Sequence, residues 1–274
     1  MMPGVAAAHD DLSKPVITTE LRKDEKGEDV LYMFIDGIKV HEMDPSKQPV
    51  PPVVTPAEGA GFAAPPSDAI VLFDGSGESF HENWTDMEGR PSRWKVVDGA
   101  LESVDKAGYI QTKRRFGSCQ LHVEWAAPMM IDGEGQGRGN SGVFLMGQYE
   151  VQVLDSYQNP TYPDGQAAAL YGRSKPLVNA SRKPGEWQSY DIIFQRPRFD
   201  SNGKLIRRAT FTVLHNGVVV QDQVTLSGGT SWMGPHAVSE YRAHADRLPI
   251  ALQDHGNPVR YRNIWIRELP DKPL

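Results

Sequence analysis

Two segments with alternating polar and apolar residues could form strands that carry chemistry. In the first segment, Glu150 and Gln152 share one face, and Asp155 follows just past the end. In the second, His122 and Glu124 share the face opposite a leucine, a valine and a tryptophan. Side chains two positions apart in a strand point to the same side of a sheet. If the two strands belong to one sheet, these five polar side chains form a cluster that could transfer protons.

Such a polar face has two interpretations. One wet face is the normal state of an antiparallel sheet, so the residues could simply meet solvent. The other interpretation is a groove for carbohydrate, because planar polar side chains and aromatic rings together hold sugar rings. The aromatic residues that could flank this groove are Tyr157, Tyr162, Trp187 and Trp232.

His255 lies in a polar turn with Gly256 and Asn257, directly after a predicted strand. A single histidine is often a hydrogen-bonded structural residue. An imidazole that titrates near neutral pH is also suited to act as a general base or acid. His255 is therefore a candidate catalytic residue.

Residues 137–142 have the spacing Gly-x-Gly-x-x-Gly. In dinucleotide-binding proteins this pattern joins a strand to a helix, whose N-terminus meets the pyrophosphate. Here a predicted strand follows instead, which argues against that function. The glycines indicate a loop at the edge of the groove, where Arg138 and Asn140 could donate hydrogen bonds.

His236, His244 and Asp246 are the residues considered for a metal site. Their spacing fits no closed set of ligands, and polar loops often contain such residues by chance. We predict no metal ligands and no cofactor, while the sequence leaves a requirement for a divalent metal open.

The elements that must position these residues are short strands. Asp98-Gly99 and Asn216-Gly217 each separate two apolar segments, and such dipeptides are typical of two-residue hairpin turns. Further strands are predicted at 120–125, 143–145, 149–154, 189–194, 250–253 and 260–269. Many short strands with little helical periodicity predict an all-β fold, a β-sandwich or jelly roll of antiparallel strands.

The N-terminal part of the chain has a different composition. Residues 1–43 contain a predicted hairpin around Asp36-Gly37, and residues 44–66 are rich in proline, as in a semi-rigid linker. The main domain is predicted over residues 67–270. Because two strands alone are marginally stable, the hairpin should dock on this domain or on a partner chain, giving a homo-oligomer.

Composition excludes several other classes. The 274 residues carry a net charge of -6, which argues against electrostatic binding of nucleic acid. The sequence has no apolar run long enough to span a membrane. The single cysteine, Cys119, rules out an intrachain disulfide. The first ten residues lack the basic start and apolar run of a signal peptide.

Several stretches between about 70 and 270, in matching order, resemble the 3-keto-disaccharide hydrolase domain family. They are Gly139 to Val143, Tyr149 to Asp155, Ala169 to Gly172, Lys183 to Trp187, Leu252 to Gly256 and Arg262 to Ile266. The opening Leu72 to Gly75 and Trp94 to Gly99 also fit the start of that domain. The resemblance does not extend to the hairpin or the linker.

The resemblance implies a concanavalin A-like jelly roll that cleaves glycosides whose glucose ring carries a ketone at C3. Some relatives are described as 3-keto-glucoside 1,2-lyases and others as hydrolases. The substrate would come from a dehydrogenase earlier in the same pathway, and the location would be periplasmic or secreted. Because a fold does not establish chemistry, a non-catalytic carbohydrate-binding module is the alternative.

The resemblance also implies roles for individual residues. A ketone at C3 makes the hydrogen at C2 acidic, and His255 is the expected base. Glu150 or Asp155 would protonate the leaving oxygen or orient the imidazole, and Arg138 or Asn140 would donate to the enolate oxygen.

Two further residues carry open alternatives. Gln152 stands where similar jelly-roll glucanases have a carboxylate, which weakens a mechanism based on two carboxylates. His122 could exchange roles with His255. Together with His122, the residues expected to bind substrate are Glu124, Arg138, Asn140, Gln152, Tyr157 and Trp187.

Overall fold

The computed structural model describes residue 12 and residues 16–230 and 239–273. These residues contain 18 strands and one short α-helix, α1 (Gly77–Asn83). The strands are β1 (Ile17–Lys23), β2 (Asp29–Ile35), β3 (Ile38–Glu42), β4 (Ile70–Phe73), β5 (Trp84–Asp86), β6 (Lys95–Val97), β7 (Ala100–Glu102), β8 (Ile110–Thr112), β9 (Cys119–Ala126), β10 (Ser141–Leu145), β11 (Tyr149–Val153), β12 (Gln188–Gln195), β13 (Arg198–Phe199), β14 (Leu205–Arg207), β15 (Thr210–His215), β16 (Val218–Thr225), β17 (Ala251–Leu252) and β18 (Arg260–Glu268).

Two antiparallel sheets face each other across one apolar core. The five-stranded sheet has the order β11-β10-β17-β8-β5, and the larger sheet has the order β16-β15-β12-β9-β18-β7-β6, with β4 also paired to β18. Leu121 and Val123 of the larger sheet belong to the same buried cluster as Val143 and Val151 of the five-stranded sheet. The chain is thus an all-β jelly-roll sandwich, as predicted.

All three predicted hairpin turns are present. Their two central residues have positive φ angles, +50° and +76° at Asp36-Gly37, +49° and +72° at Asp98-Gly99, and +52° and +78° at Asn216-Gly217. Asp, Asn and Gly accept this left-handed backbone at low cost, which is why these dipeptides set the turns.

The N-terminal hairpin belongs to a three-stranded sheet, β1-β2-β3. β1 is exposed along its whole length and carries only two large apolar residues, Ile17 and Leu21, so the sequence pattern did not reveal it. The sheet contacts the main domain through a buried ion pair between Asp36 and Arg208. In the segment that follows, the Val54 amide donates to the Asn179 carbonyl at 2.9 Å. The proline-rich segment therefore runs along the main domain.

No helix within residues 16–230 and 239–273 has both the length and the apolar character needed to cross a membrane.

Candidate active site

The two polar faces considered in the sequence belong to different sheets. β9, with His122 and Glu124, lies in the larger sheet, whereas β11, with Glu150 and Gln152, lies in the five-stranded sheet. The residues that alternate with them all point into the shared core, so the polar residues point outward on opposite sides of the sandwich. The single cluster expected if both strands shared a sheet does not form.

A pocket of about 640 Å³ lies on the outer face of the five-stranded sheet. We call it the sheet pocket. It is lined by Tyr109, Asn140, Phe144, Gly147, Glu150, Gln152, Tyr162, Tyr171, Gln253 and His255. Its size and its mixture of aromatic rings and polar groups suit a small polar organic ligand.

Glu150 is the acidic residue of this pocket. Its side chain is buried, and burial raises its pKa to about 8 because a carboxylate loses hydration there. At neutral pH it therefore holds a proton. Gly142 makes room for it on the neighbouring strand: a Cβ at Gly142 would lie 2.6 Å from Glu150 Oε1.

Gln152 lies beside Glu150 and is also buried. With its amide turned to satisfy its hydrogen bonds, the nitrogen donates to the Ser141 carbonyl at 2.9 Å and to Glu150 Oε1 at 3.1 Å. A neutral amide thus occupies the position where a second carboxylate would repel Glu150. Burial, rather than like charge, keeps the Glu150 carboxyl protonated.

His255 enters the same pocket from the loop after β17. Its side chain is exposed, and hydrogen bonds on both sides hold its loop. Asp254 accepts from the Gly256 amide at 2.9 Å and from the Gly108 amide at 3.0 Å. Asn257 Oδ1 accepts from the Asn140 amide at 2.8 Å. An accessible imidazole therefore shares the pocket with a buried, protonated carboxyl.

Three tyrosines give the sheet pocket phenol groups. Burial raises the pKa of Tyr109, Tyr162 and Tyr171, so each hydroxyl stays neutral and can donate a hydrogen bond. The hydroxyls of Tyr162 and Tyr171 are 2.6 Å apart. The sequence pointed to Tyr162 as a flanking aromatic, but Tyr109 and Tyr171 were not selected. Tyr171 lies within the family-like stretch Ala169 to Gly172, which is the sequence signal that points to it as a site residue.

Arg138 and Asp155 line a neighbouring pocket of about 410 Å³, which we call the loop pocket. Arg138 Nε lies 2.8 Å from Asp155 Oδ2, and both side chains are largely buried. The guanidinium also donates to the Tyr157 carbonyl. Neither Arg138, Asp155 nor Tyr157 lines the sheet pocket. The structure thus separates them from Glu150 and His255, with which the sequence grouped them.

His122 and Glu124 form a charged network on the outer face of the larger sheet. His122 Nδ1 lies 2.8 Å from Asp191 Oδ1. Glu124 accepts from Arg262 Nε at 2.6 Å and from Asn263 Nδ2 at 2.8 Å. We call these five residues the outer-face network. It lies on the far side of the sandwich from the sheet pocket, so neither His122 nor Glu124 joins that pocket.

Trp187 belongs to the same outer face. Its ring centroid lies 4.1 Å from Arg262 Cζ, a cation–π contact. The Ala63 carbonyl, from the proline-rich segment, accepts from Asn263 Nδ2 at 2.8 Å. Trp187 therefore stacks against the outer-face network and does not flank the sheet pocket as the sequence suggested.

The electrostatics of the outer-face network favour its charged form. Burial lowers the pKa of His122, but the carboxylates of Asp191 and Glu124 outweigh burial and raise it overall. Burial raises the pKa of Glu124, but hydrogen bonds from His122, Asn263 and Arg262 lower it overall. Each group is thus held in place by the opposite charge of its neighbours.

Replacing Glu124 with Gln should lower the free energy of unfolding by about 2 kcal/mol, because His122 and Arg262 lose their counter-charge. Urea unfolding measures this loss. Glu186 is exposed, so the control Glu186→Gln should change stability by less than about 0.5 kcal/mol. Equal stability of both variants would show that the network does not stabilise the fold.

The residues considered for a metal have other partners. His244 Nε2 is 2.7 Å from the Tyr149 hydroxyl, and Asp246 is paired with Arg196 at 2.6 Å. His236 and Trp232 lie outside the described residues. Within the ranges that the structure covers, no group of three His, Cys, Asp or Glu side chains could hold a metal ion.

The sheet pocket lies within a segment that matches a known family. Residues 68–267 match the model of the 3-keto-alpha-glucoside-1,2-lyase-like domain. The chain belongs to this family. A relative from Bacteroides thetaiotaomicron, named 3-keto-disaccharide hydrolase, is 22% identical over 289 aligned positions, which cover 90% of this chain and 90% of that protein.

Solved structures show the same architecture. The crystal structure of a candidate glycosyl hydrolase from Parabacteroides distasonis is 50% identical, with a TM-score of 0.72, and the match covers 81% of this chain and 93% of that one. A second candidate glycosyl hydrolase from that organism is 17% identical with a TM-score of 0.53, covering 74% and 94%, and shows the fold alone. The resemblance found in the sequence is confirmed, and the family and the relatives' names support a glycosidase-like enzyme.

Proposed function

We propose that the chain cleaves the glycosidic bond of glucosides whose ring carries a ketone at C3. One observation carries the proposal: the buried, protonated Glu150 and the accessible imidazole of His255 line one pocket of suitable size. This pair provides an acid and a base for two proton transfers. The name of the B. thetaiotaomicron relative supports the same substrate class.

The first step removes the hydrogen at C2, which the neighbouring ketone makes acidic. His255 takes the proton, and the electron pair of the C2–H bond forms an enolate between C2 and C3. We propose that the Asn140 amide nitrogen, which also donates to the Gln136 carbonyl at 2.7 Å, and the Tyr109 hydroxyl, which accepts from Gln253, donate hydrogen bonds to the enolate oxygen. Removal of the C2 proton by His255 requires no second carboxylate in the pocket.

The second step breaks the bond between C1 and the leaving oxygen. The enolate electrons restore the C3 ketone, a double bond forms between C1 and C2, and Glu150 gives its proton to the leaving oxygen. The product ring is a glycal with a ketone at C3. Transfer of the proton from His255 back to Glu150, through solvent, restores both groups.

The structure favours Glu150 over Asp155 as the acid. Asp155 faces the Arg138 cation in the loop pocket, whereas Glu150 is a neutral acid in the sheet pocket. The Arg138 guanidinium is held by Asp155 and Tyr157, so Asn140 is the preferred donor to the enolate. His122 lies on the other side of the sandwich and is unsuited to replace His255.

The deciding assay compares a 3-keto-glucoside with the same glucoside left unoxidised, both with a chromogenic leaving group. We expect release of the aglycone from the keto form only. Accumulation of the glycal would identify a lyase, and accumulation of the free 3-keto-glucose, formed by adding water across C1 and C2, would identify a hydrolase. Binding of both sugars without release, with and without divalent metals, would instead support the carbohydrate-binding module.

The proposal has consequences for the setting of the enzyme. The ketone must be introduced by a separate oxidation, so we propose a dehydrogenase of glycosides as the functional partner. A periplasmic or secreted location stays a prediction from the family resemblance. Homo-oligomerisation through the N-terminal hairpin also stays a prediction.

A further inference from the structure

The loop pocket and the sheet pocket share a wall. His255 lines the sheet pocket, and the next residue, Gly256, lines the loop pocket. Asn140 lines the sheet pocket, and Asn257 lines the loop pocket, while the Asn140 amide donates to Asn257 Oδ1 at 2.8 Å. The two pockets are therefore adjacent, on either side of the segment 255–257.

One side of the loop pocket is apolar. Met130 and Ile131 line it with 85% and 62% of their surfaces exposed. Adjacent exposed apolar side chains are typical of binding surfaces, and the flexible methionine side chain adapts to ligands of different shape. This side of the pocket suits an apolar group.

The loop that carries these apolar residues is fixed at both ends. The Gly185 amide donates to the Ala127 carbonyl at 3.0 Å. At the other end, Asn159 Oδ1 accepts from the Gly135 amide at 2.8 Å, and Asn159 Nδ2 donates to the Gly135 carbonyl at 3.0 Å. The apolar side chains are thus presented by an anchored loop, which reduces the cost of ordering it on binding.

Other lining residues of the loop pocket are polar, without excess positive charge. Arg138 and Asp155 neutralise each other at 2.8 Å, and the nearby Asp132 adds a carboxylate. Such a lining does not attract anions. The occupant best matched to both groups of residues is a neutral molecule with an apolar ring.

We propose that the loop pocket binds the leaving group of the substrate and favours neutral, ring-containing alcohols and phenols. This inference rests on the proposed cleavage of 3-keto-glucosides. The loop pocket has a volume of about 410 Å³, which is sufficient for an aromatic ring system.

The test compares ethyl and 2-phenylethyl 3-keto-glucosides, whose leaving oxygens have nearly the same basicity. In the wild-type protein, kcat/KM should be about tenfold higher for the phenylethyl compound, because its phenyl ring is transferred from water into the loop pocket. Met130→Asn and Ile131→Asn should each reduce this preference to about threefold or less, because the phenyl ring then loses apolar contact in the loop pocket.

Leu177→Asn provides a matched control, because Leu177 is 55% exposed and lines neither pocket. This variant should keep the wild-type preference. Cleavage of both compounds with equal efficiency, or a preference unchanged in both loop variants, would overturn the leaving-group site while the proposed function stands. Absence of cleavage of any 3-keto-glucoside, the chromogenic one included, would overturn the function itself.

Discussion

Glu150→Gln is expected to lower kcat/KM for 3-keto-glucosides of alkyl alcohols by about 10² to 10⁴-fold, the usual contribution of a general acid. An alkoxide is a poor leaving group and needs a proton as the bond to C1 breaks. Glutamine keeps the shape of the buried side chain but cannot supply this proton. Steady-state rates of aglycone release measure the loss.

The nature of the leaving group separates this role from a structural one. A 4-nitrophenolate is stable without a proton, so the same variant should lose at most about tenfold on the 4-nitrophenyl 3-keto-glucoside. Equal losses on alkyl and nitrophenyl substrates would contradict the assignment of Glu150 as the acid and would point to damage to the pocket.

The same residue should give the wild-type protein a pH dependence. Because burial raises the pKa of Glu150 to about 8, the carboxyl is protonated at neutral pH and ionises as the pH rises through that value. The rate on alkyl glycosides should therefore fall above about pH 8. The Gln variant should lack this decline, since its amide does not titrate in this range.

Local sequence patterns predicted the hairpins and the longer strands because their signals lie within a few residues. Asp98-Gly99 and Asn216-Gly217 determine their turns through backbone angles alone. β9 and β12 are long enough to show alternation. β5 and β8 have three residues each and no hairpin turn between them, so they show too little of any pattern and depend on pairing with partners distant in the chain.

The site was only partly predictable for a related reason. Alternation along a strand identifies which side chains share a face, but it does not identify the sheet to which the strand belongs. Glu150, Gln152, Asn140 and His255 line one pocket of the five-stranded sheet. The sequence around His122 alternates as regularly as that around Glu150. His122 nevertheless lies on the other side of the sandwich, because its strand belongs to the other sheet.

The pocket walls depend on contacts that no local pattern encodes. Tyr109 comes from the segment before β8, and Phe144 comes from β10. Their rings lie 5.6 Å apart only because β17 brings β8 and β10 into one sheet. Similarly, Arg138 carries the charge expected of an oxyanion donor, but its partner Asp155 holds it in the loop pocket.

His255→Ala should reduce turnover of every 3-keto-glucoside by about 10³-fold, because removal of the C2 proton precedes loss of any leaving group. The effect should therefore be independent of the aglycone, unlike that of Glu150→Gln. Exchange of the C2 hydrogen with deuterium from heavy water, followed by NMR, measures the proton transfer directly. The wild-type protein and Glu150→Gln should both catalyse this exchange, and His255→Ala should not.

His81→Ala is the matched control, because His81 is also exposed and lies in α1, outside both pockets. It should retain wild-type exchange and release. Added imidazole should restore part of the activity of His255→Ala, since the shortened side chain leaves space for a small base in the sheet pocket. Wild-type exchange in His255→Ala would assign the base to another residue, and loss of exchange in Glu150→Gln would show that the two proton transfers are not divided between His255 and Glu150.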